Sequence, residues 1–324
     1  MLKVAEDPLH AAYDVAMLDL DGVVYVGASA VPGAPEHLTR ARATGMHLAF
    51  VTNNASRTPA HVAEHLNQLG IDAAAEDVVT SAQAAAHLLA QSLPTGARVF
   101  LLGSAGLASA LEAEGLEPVG SLDEDPVAVV SGYDPDLPWR RLMQGAVLIR
   151  DGLPWVASNT DLTVPTEYGL GPGHGVQVRM LSEFSGVTPV VAGKPRRPLL
   201  DETIRRVGGT RPLMVGDRLD TDIEGANAAD VDSLLVMTGV TNEDDLVRAP
   251  EQLRPTYIST DLNGLLVPHP VPAQVDGRFE LAGWTAHTRD GRLVVEGAGS
   301  PDDRLRTVAA AAWAHLDETG EPVR

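Results

Sequence analysis

Val15-Ala16-Met17-Leu18-Asp19-Leu20-Asp21-Gly22-Val23-Val24 runs from four apolar residues straight into two carboxylates and a glycine. The apolar run predicts a strand. Residues two apart on an extended segment point the same way, which predicts that Asp19 and Asp21 share one face at the carboxyl end. That is the end at which open parallel sheets bind ligands. Two neighbouring carboxylates repel, so the pair needs a reason. A divalent cation is one; a division into nucleophile and acid/base with separated pKa values is another. A polar turn with a capping Asp is the alternative.

Working outward, short apolar runs alternate with helical stretches. Pro35 to Ala43 reads as a helix closed by Gly45, His47 to Val51 as a strand ending at Thr52, and Thr58-Pro59 as the cap and first turn of a helix that Gly70 stops. Strands are predicted at 78–79, 98–102, 127–130, 155–157, 213–215 and 233–237. Helices are predicted at 81–89, 107–114, 176–184 (after a Gly-rich turn), 199–207 and 223–229. This β-α repetition predicts a parallel sheet covered by helices. From Pro268, Pro270 and Pro272 onward the pattern changes to a linker, a hairpin (Phe279 to His287 and Arg292 to Glu296 around Arg289-Asp290-Gly291) and a helix opened by Ser300-Pro301-Asp302-Asp303, a β-β-α appendage.

Three further clusters follow apolar runs or turns. Thr52-Asn53-Asn54 offers a hydroxyl and two amides, donors suited to phosphate oxygens; an Asn-rich turn is the alternative. Gly193-Lys194-Pro195 holds a lysine in a turn. Of 24 basic residues only Lys3 and Lys194 are lysine, so an internal ammonium invites a specific reason. Gly216-Asp217-Arg218-Leu219-Asp220-Thr221-Asp222 collects hard oxygen ligands at a density that suits Mg²⁺, with helix capping as a compatible second role.

Composition narrows the partners. The 324 residues carry a formal net charge of −20, which disfavours nucleic acid and anionic lipid, and disfavours anionic substrates unless a local cation compensates. Cysteine is absent, excluding disulfides and thiolate chemistry. No run reaches the roughly 18 apolar residues of a membrane span, and residues 1–14 lack the apolar stretch of a secretory signal; a cytoplasmic location is expected. No P-loop, GxGxxG or HExxH pattern occurs.

Strand–DxDG, strand–TNN, GKP and strand–GDxxxTD, in that order, resemble the motif set of the haloacid dehalogenase-like hydrolases. The resemblance covers about residues 13–266. Val164-Pro165-Thr166-Glu167-Tyr168-Gly169-Leu170 and Pro172-Gly173-His174-Gly175 are similar to the cap segment of the branch containing phosphoglycolate, pyridoxal phosphate, nucleotide and glycerol 3-phosphate phosphatases. The stretch 216–227 and the appendage look most like the actinobacterial glycerol 3-phosphate enzymes.

The resemblance implies a Rossmann-like core (1–84 with 188–267), an inserted α/β cap (85–187) and an appendage (268–324), regulatory, dimerising or simply covering a sheet edge. It implies a small phosphorylated metabolite as substrate, and a homodimer by analogy. Asp19 would be the nucleophile and Asp21 the acid/base. Mg²⁺ would be held by Asp19, Asp217 and the Asp21 carbonyl, with Asp222 beside them. Thr52, Asn53, Asn54 and Lys194 would hold phosphoryl oxygens, and Gly22 would allow close approach. Asn159 to Asp161 and Glu167 to Gly175 would read the leaving group. There the chain departs from its relatives with Tyr168 and His174, the latter either a substrate ligand or a solvent-facing loop residue. A phospho-Asp signalling or phosphate-binding module is the reading of another class.

Overall fold

The computed structural model describes residues 2–166 and 168–323. They form two compact units: residues 2–49, 69–71 and 209–323, and residues 50–68, 72–166 and 168–208.

In the first unit the strands Tyr257–Ser259, Asp232–Val236, Pro212–Gly216 and Val15–Leu18 lie side by side, all parallel. Val15 to Leu18 are all buried, as a parallel strand covered on both faces requires. The Ala34–Ala43 helix has proline in its first turn and ends before Gly45, which takes the positive φ of 97° that a side chain resists.

The Pro301–Thr319 helix belongs to this unit's core. Leu305, Ala309 and Trp313 pack with Leu235, Leu246 and Ile258. The Trp313 Nε1–H donates to the Leu246 carbonyl at 2.8 Å. Arg306, buried, donates to the Ile258 carbonyl at 3.2 Å and pairs with Asp303 at 3.0 Å.

Before this helix lies a four-stranded antiparallel sheet, Ala273–Val275, Arg278–Leu281, Trp284–Arg289 and Arg292–Gly297. The β-β-α order read from sequence is its last part, with two strands ahead of it. The expected single strand over 279–287 is broken in two. Each hairpin closes through a two-residue turn with both φ angles positive: Asp276-Gly277, Ala282-Gly283 and Asp290-Gly291. This is the turn whose twist suits adjoining antiparallel strands.

The second unit is built on a five-stranded parallel sheet in the order Val190–Val191, Trp155–Ala157, Ala128–Ser131, Arg98–Leu102, Glu117–Val119. Phe100, Leu102, Val129, Ile149, Trp155 and Leu181 fill one side of it. The Ser81–Ala90 helix starts in a reciprocal cap, Thr80 accepting from Gln83 N–H and Gln83 accepting from Thr80 N–H. Several elements of this unit went unread in the sequence: the short strands Glu117–Val119 and Val190–Val191, the Trp139–Arg150 helix, and an antiparallel hairpin, Thr163–Thr166 with Gly169–Pro172, where a Gly-rich turn was expected. The strand His47–Thr52 carries the chain from one unit into the other, and its last three residues pair with Val78–Thr80.

Candidate active site

In the first unit, Leu18 is paired with Val215, and the Asp19 N–H donates to the Val215 carbonyl at 2.8 Å. Two adjacent parallel strands therefore end level, and their next residues, Asp19 and Asp217, emerge beside each other. Beyond Pro212–Gly216 the chain makes one wide helical turn over Leu219–Ile223, with the Ile223 N–H reaching back five residues to the Arg218 carbonyl. This turn delivers Asp222. One carboxylate oxygen from each of Asp19, Asp217 and Asp222 lies within 4.8 Å of the other two, and both Asp217 and Asp222 are buried.

Glycines make this proximity possible. A Cβ on Gly22 would stand 2.7 Å from the Asp217 Cγ, one on Gly239 2.8 Å from the Asp217 Cβ, and one on Gly216 would overlap the Asp222 side chain. Asp217 is fixed from the far side: its Oδ2 accepts from the Val240 N–H at 2.6 Å and its carbonyl from the Thr241 N–H at 3.1 Å. Thr238 donates its hydroxyl to the Gly22 carbonyl at 2.6 Å. The segment 238–241 is thus part of the cradle, and sequence reading missed it. A glycine three residues past the end of the strand Asp232–Val236 was the signal it offered.

Three carboxylates within this distance repel by at least about 3.5 kcal/mol per pair when ionised, at an effective dielectric near 20. Close-packed, acidic and made of oxygen donors, the group fits a hard divalent cation such as Mg²⁺.

Asp21 lies just past the end of the strand. The ladder ends at Asp19, and the N–H groups of Val23, Val24 and Tyr25 all turn back to the Leu20 carbonyl, at 3.3, 2.9 and 3.1 Å. Asp21 thus stands at the start of a tight turn. Its side chain is exposed and outside the three-carboxylate group, which leaves its main chain as the part expected to meet a metal.

In the second unit, Thr52, Asn53, Asn159, His174 and Lys194 are all buried. Asn53 clamps Lys194: its Oδ1 accepts from the Lys194 N–H at 2.8 Å, and its Nδ2 donates to the Lys194 carbonyl at 3.0 Å and to Asp161 Oδ1 at 3.1 Å. Both amide hydrogens are used. The expected donation from the Asn53 side chain to phosphoryl oxygens is therefore corrected; this amide shapes the lysine turn. Asn54 is exposed, and its Oδ1 accepts from the N–H and hydroxyl of Ser56 at 2.8 and 2.7 Å, a local turn. Thr52 Oγ1 accepts from the Asn54 N–H at 3.1 Å, leaving its hydroxyl hydrogen to donate.

His174 is no solvent-facing loop residue. It is the first residue of the His174–Ser185 helix, and its Nδ1 lies 2.9 Å from the Asn159 carbonyl. Burial pushes its pKa down to about 4 against the opposing pull of that carbonyl. Glu167 lies outside the described residues, and Tyr168 is 92% exposed.

Sequence models of the family place the geometry. A haloacid dehalogenase-like hydrolase model matches residues 16–117, and a HAD-hydrolase-like model residues 191–265. The D-glycerol 3-phosphate phosphatase of Mycobacterium tuberculosis is 44% identical over 316 residues, 93% of this chain and 86% of its own length. The chain belongs to the haloacid dehalogenase-like hydrolase family. An acid sugar phosphatase of Staphylococcus saprophyticus is 36% identical, covering 78% of this chain and 97% of its own. Among solved structures, a glycerol phosphate phosphatase from M. tuberculosis in complex with magnesium superposes with a TM-score of 0.88 at 42% identity, over 98% of this chain and 94% of that one. A 4-nitrophenylphosphatase from Thermotoga maritima gives 0.73 at 31% identity, over 79% and 97%. Residues 282–324, the last two strands and the final helix, match a GCN5-related N-acetyltransferase-like model. In this hydrolase the match to the M. tuberculosis structure is long enough to include that segment. No helix among the described residues is long and apolar enough to cross a membrane.

Proposed function

We propose that this hydrolase is a Mg²⁺-dependent phosphatase of small phosphate monoesters, glycerol 3-phosphate foremost, working through an aspartyl-phosphate. The observation that carries the reading is the Asp19, Asp217 and Asp222 group in its glycine cradle. The M. tuberculosis relative named for D-glycerol 3-phosphate supports the substrate, and the solved magnesium complex supports the metal. Phosphoglycolate, pyridoxal phosphate and nucleoside monophosphates are the other esters of the class. A phospho-Asp signalling module needs neither an acid/base at Asp21 nor the insert 85–187.

Asp19, Asp217 and the Asp21 carbonyl would hold the ion with Asp222 beside them, and once bound it would neutralise charge on the phosphoryl oxygens. The Asp19 carboxylate attacks phosphorus in line; the P–O bond to the ester oxygen breaks, and the leaving alkoxide takes a proton from the Asp21 carboxyl. Asp21, now a carboxylate, takes a proton from water. The water oxygen attacks phosphorus, the bond to Asp19 breaks, and inorganic phosphate leaves with both carboxyl groups restored. The Thr52 hydroxyl and the Lys194 ammonium hold phosphoryl oxygens during both transfers, while Asn53 fixes the Lys194 backbone. Without these cations the carboxylates would repel a phosphate dianion.

The insert 85–187 serves in this reading as the cap that excludes water and reads the leaving group, over a core of 1–84 with 188–267, the segment 268–324 being an appendage. A cytoplasmic homodimer is the matching setting. Light scattering of the purified chain tests the assembly.

The decisive experiment is phosphate release from a panel of monoesters, with Mg²⁺ and with chelator, for the wild type and Asp19→Asn. Release that needs both the ion and Asp19, strongest on glycerol 3-phosphate, is expected. Release from no ester would overturn the reading.

A further inference from the structure

We propose that His174 is a positioning residue: its Nδ1–H bond to the Asn159 carbonyl holds the loop that keeps Lys194 in place, setting the rate on every phosphate ester rather than the choice among them. The inference rests on the phosphatase reading above.

Gly173-His174-Gly175 seats the start of the His174–Ser185 helix on residues 159–163. A Cβ on Gly173 would stand 2.9 Å from the Thr163 N, and one on Gly175 2.6 Å from the Thr160 C. The two glycines let the helix close on that loop, and the side chain between them reaches into it. The Gly175 N–H donates to the Asp161 carbonyl and the Gly173 N–H to the Leu162 carbonyl, both at 2.8 Å.

A carbonyl can only accept, so the ring carries its hydrogen on Nδ1. Burial keeps it neutral, so this is a single tautomer near neutral pH. The buried Nε2 accepts no hydrogen bond from any of the described residues. The ring's polar contribution is therefore one bond.

That bond begins a chain. Asn159 donates its Nδ2 hydrogen to the Asn53 carbonyl at 2.7 Å, and its Oδ1 accepts from the Asp161 N–H at 3.1 Å. Asp161 Oδ1 accepts from Asn53 Nδ2, and Asn53 holds Lys194 by both its N–H and its carbonyl. Ser81 donates to the Asn53 carbonyl at 2.5 Å, closing the ring of contacts from the helix side. Every intermediate amide is satisfied on two sides, so a shift at Asn159 is passed to Asn53 rather than absorbed.

Three variants separate the donor from the volume. His174→Phe keeps a ring without a donor. His174→Gln puts an amide at the Nε2 position, away from Asn159. His174→Asn puts an amide hydrogen where Nδ1–H was. Loss of the bond is expected to lower kcat by on the order of tenfold, alike on glycerol 3-phosphate and p-nitrophenyl phosphate, for Phe and Gln, with KM moving less. Asn restores most of it. Amide hydrogen exchange at Lys194 N–H, read without any substrate, is expected to quicken in Phe and Gln and not in Asn.

A change of more than fivefold in the ratio of kcat/KM between the two esters would overturn the proposal and put the ring on the leaving group. Asn behaving like Phe and Gln, or unchanged Lys194 exchange in a folded Phe or Gln variant, would overturn it too. If the wild type turns over neither ester, the phosphatase reading fails on its own, and the exchange data still decide whether His174 holds Lys194.

Discussion

Gly239→Ala is the sharpest probe of the carboxylate cradle, because it adds one methyl group at a position no sequence motif marks. Gly239 does not take a positive φ, so the substitution brings no backbone strain of its own. The new Cβ stands 2.8 Å from the Asp217 Cβ, about 0.6 Å inside the 3.4 Å at which ordinary contact begins, and it overlaps the carboxylate beyond. Rotating the carboxylate leaves the Cβ–Cβ clash untouched. Moving the loop instead would stretch the Thr238 bond to Gly22 and the Val240 and Thr241 bonds to Asp217. The clash therefore falls on the position of Asp217. Displacement of a reacting constellation by about 1 Å costs on the order of 100-fold in rate, about 2.7 kcal/mol. Phosphate release titrated against Mg²⁺ should show kcat/KM down by about that factor and the half-activating Mg²⁺ concentration raised. The melting temperature in chelator reports whether the variant is folded. A folded Gly239→Ala with kcat/KM and Mg²⁺ dependence within twofold of wild type would refute the claim that this loop sets the Asp217 geometry.

Other consequences follow from buried groups elsewhere. His269 and His174 both titrate near 4 in the folded chain, chiefly through burial, against an ordinary 6.5. The unfolded chain thus binds protons that the folded one refuses, so stability is full above 6.5 and falls as pH drops from 6.5 to about 4, by roughly 3 kcal/mol per group. Urea midpoints at pH 7 and 4.5 should separate less in His269→Gln than in the wild type; equal separations would show that His269 contributes no such term. Trp313→Ala empties a buried ring site and removes one of the hydrogen bonds to the Leu246 carbonyl, with an expected loss of about 3–5 kcal/mol in urea unfolding. A loss under about 1 kcal/mol would mean the final helix is only loosely docked. Asn53→Ala removes the clamp on the Lys194 backbone, and kcat should fall by on the order of tenfold to a hundredfold with the Mg²⁺ titration midpoint unchanged; a shifted midpoint would tie Asn53 to the metal instead.

The parts of this molecule legible from its sequence are those whose cause is local. Val15 to Leu18 announces a strand because the whole run is apolar, and Asp19 and Asp217 announce themselves by following such runs. Two parallel strands in register then need nothing further to bring those two residues together. Gly45 and Gly70 mark helix ends because a positive φ is cheap for glycine alone. Asp290-Gly291 is a familiar hairpin pair, but Ala282-Gly283 is not, so one strand was read where two exist. What stayed hidden depends on partners distant in sequence. Asn53 reads as a phosphate donor until its two amide hydrogens are found committed to Lys194 and Asp161, more than a hundred residues away. Gly239 reads as a loop glycine until its missing Cβ is set beside Asp217, which comes from the neighbouring strand. The same asymmetry holds for His174. A lone histidine between glycines fits an exposed loop as well as a ligand, and only burial with a single bond to Asn159 gives it a third role. Motif residues that meet substrate carry their chemistry in their side chains and can be named from type and spacing. Residues that place them are defined by what they touch, and the fold alone supplies that.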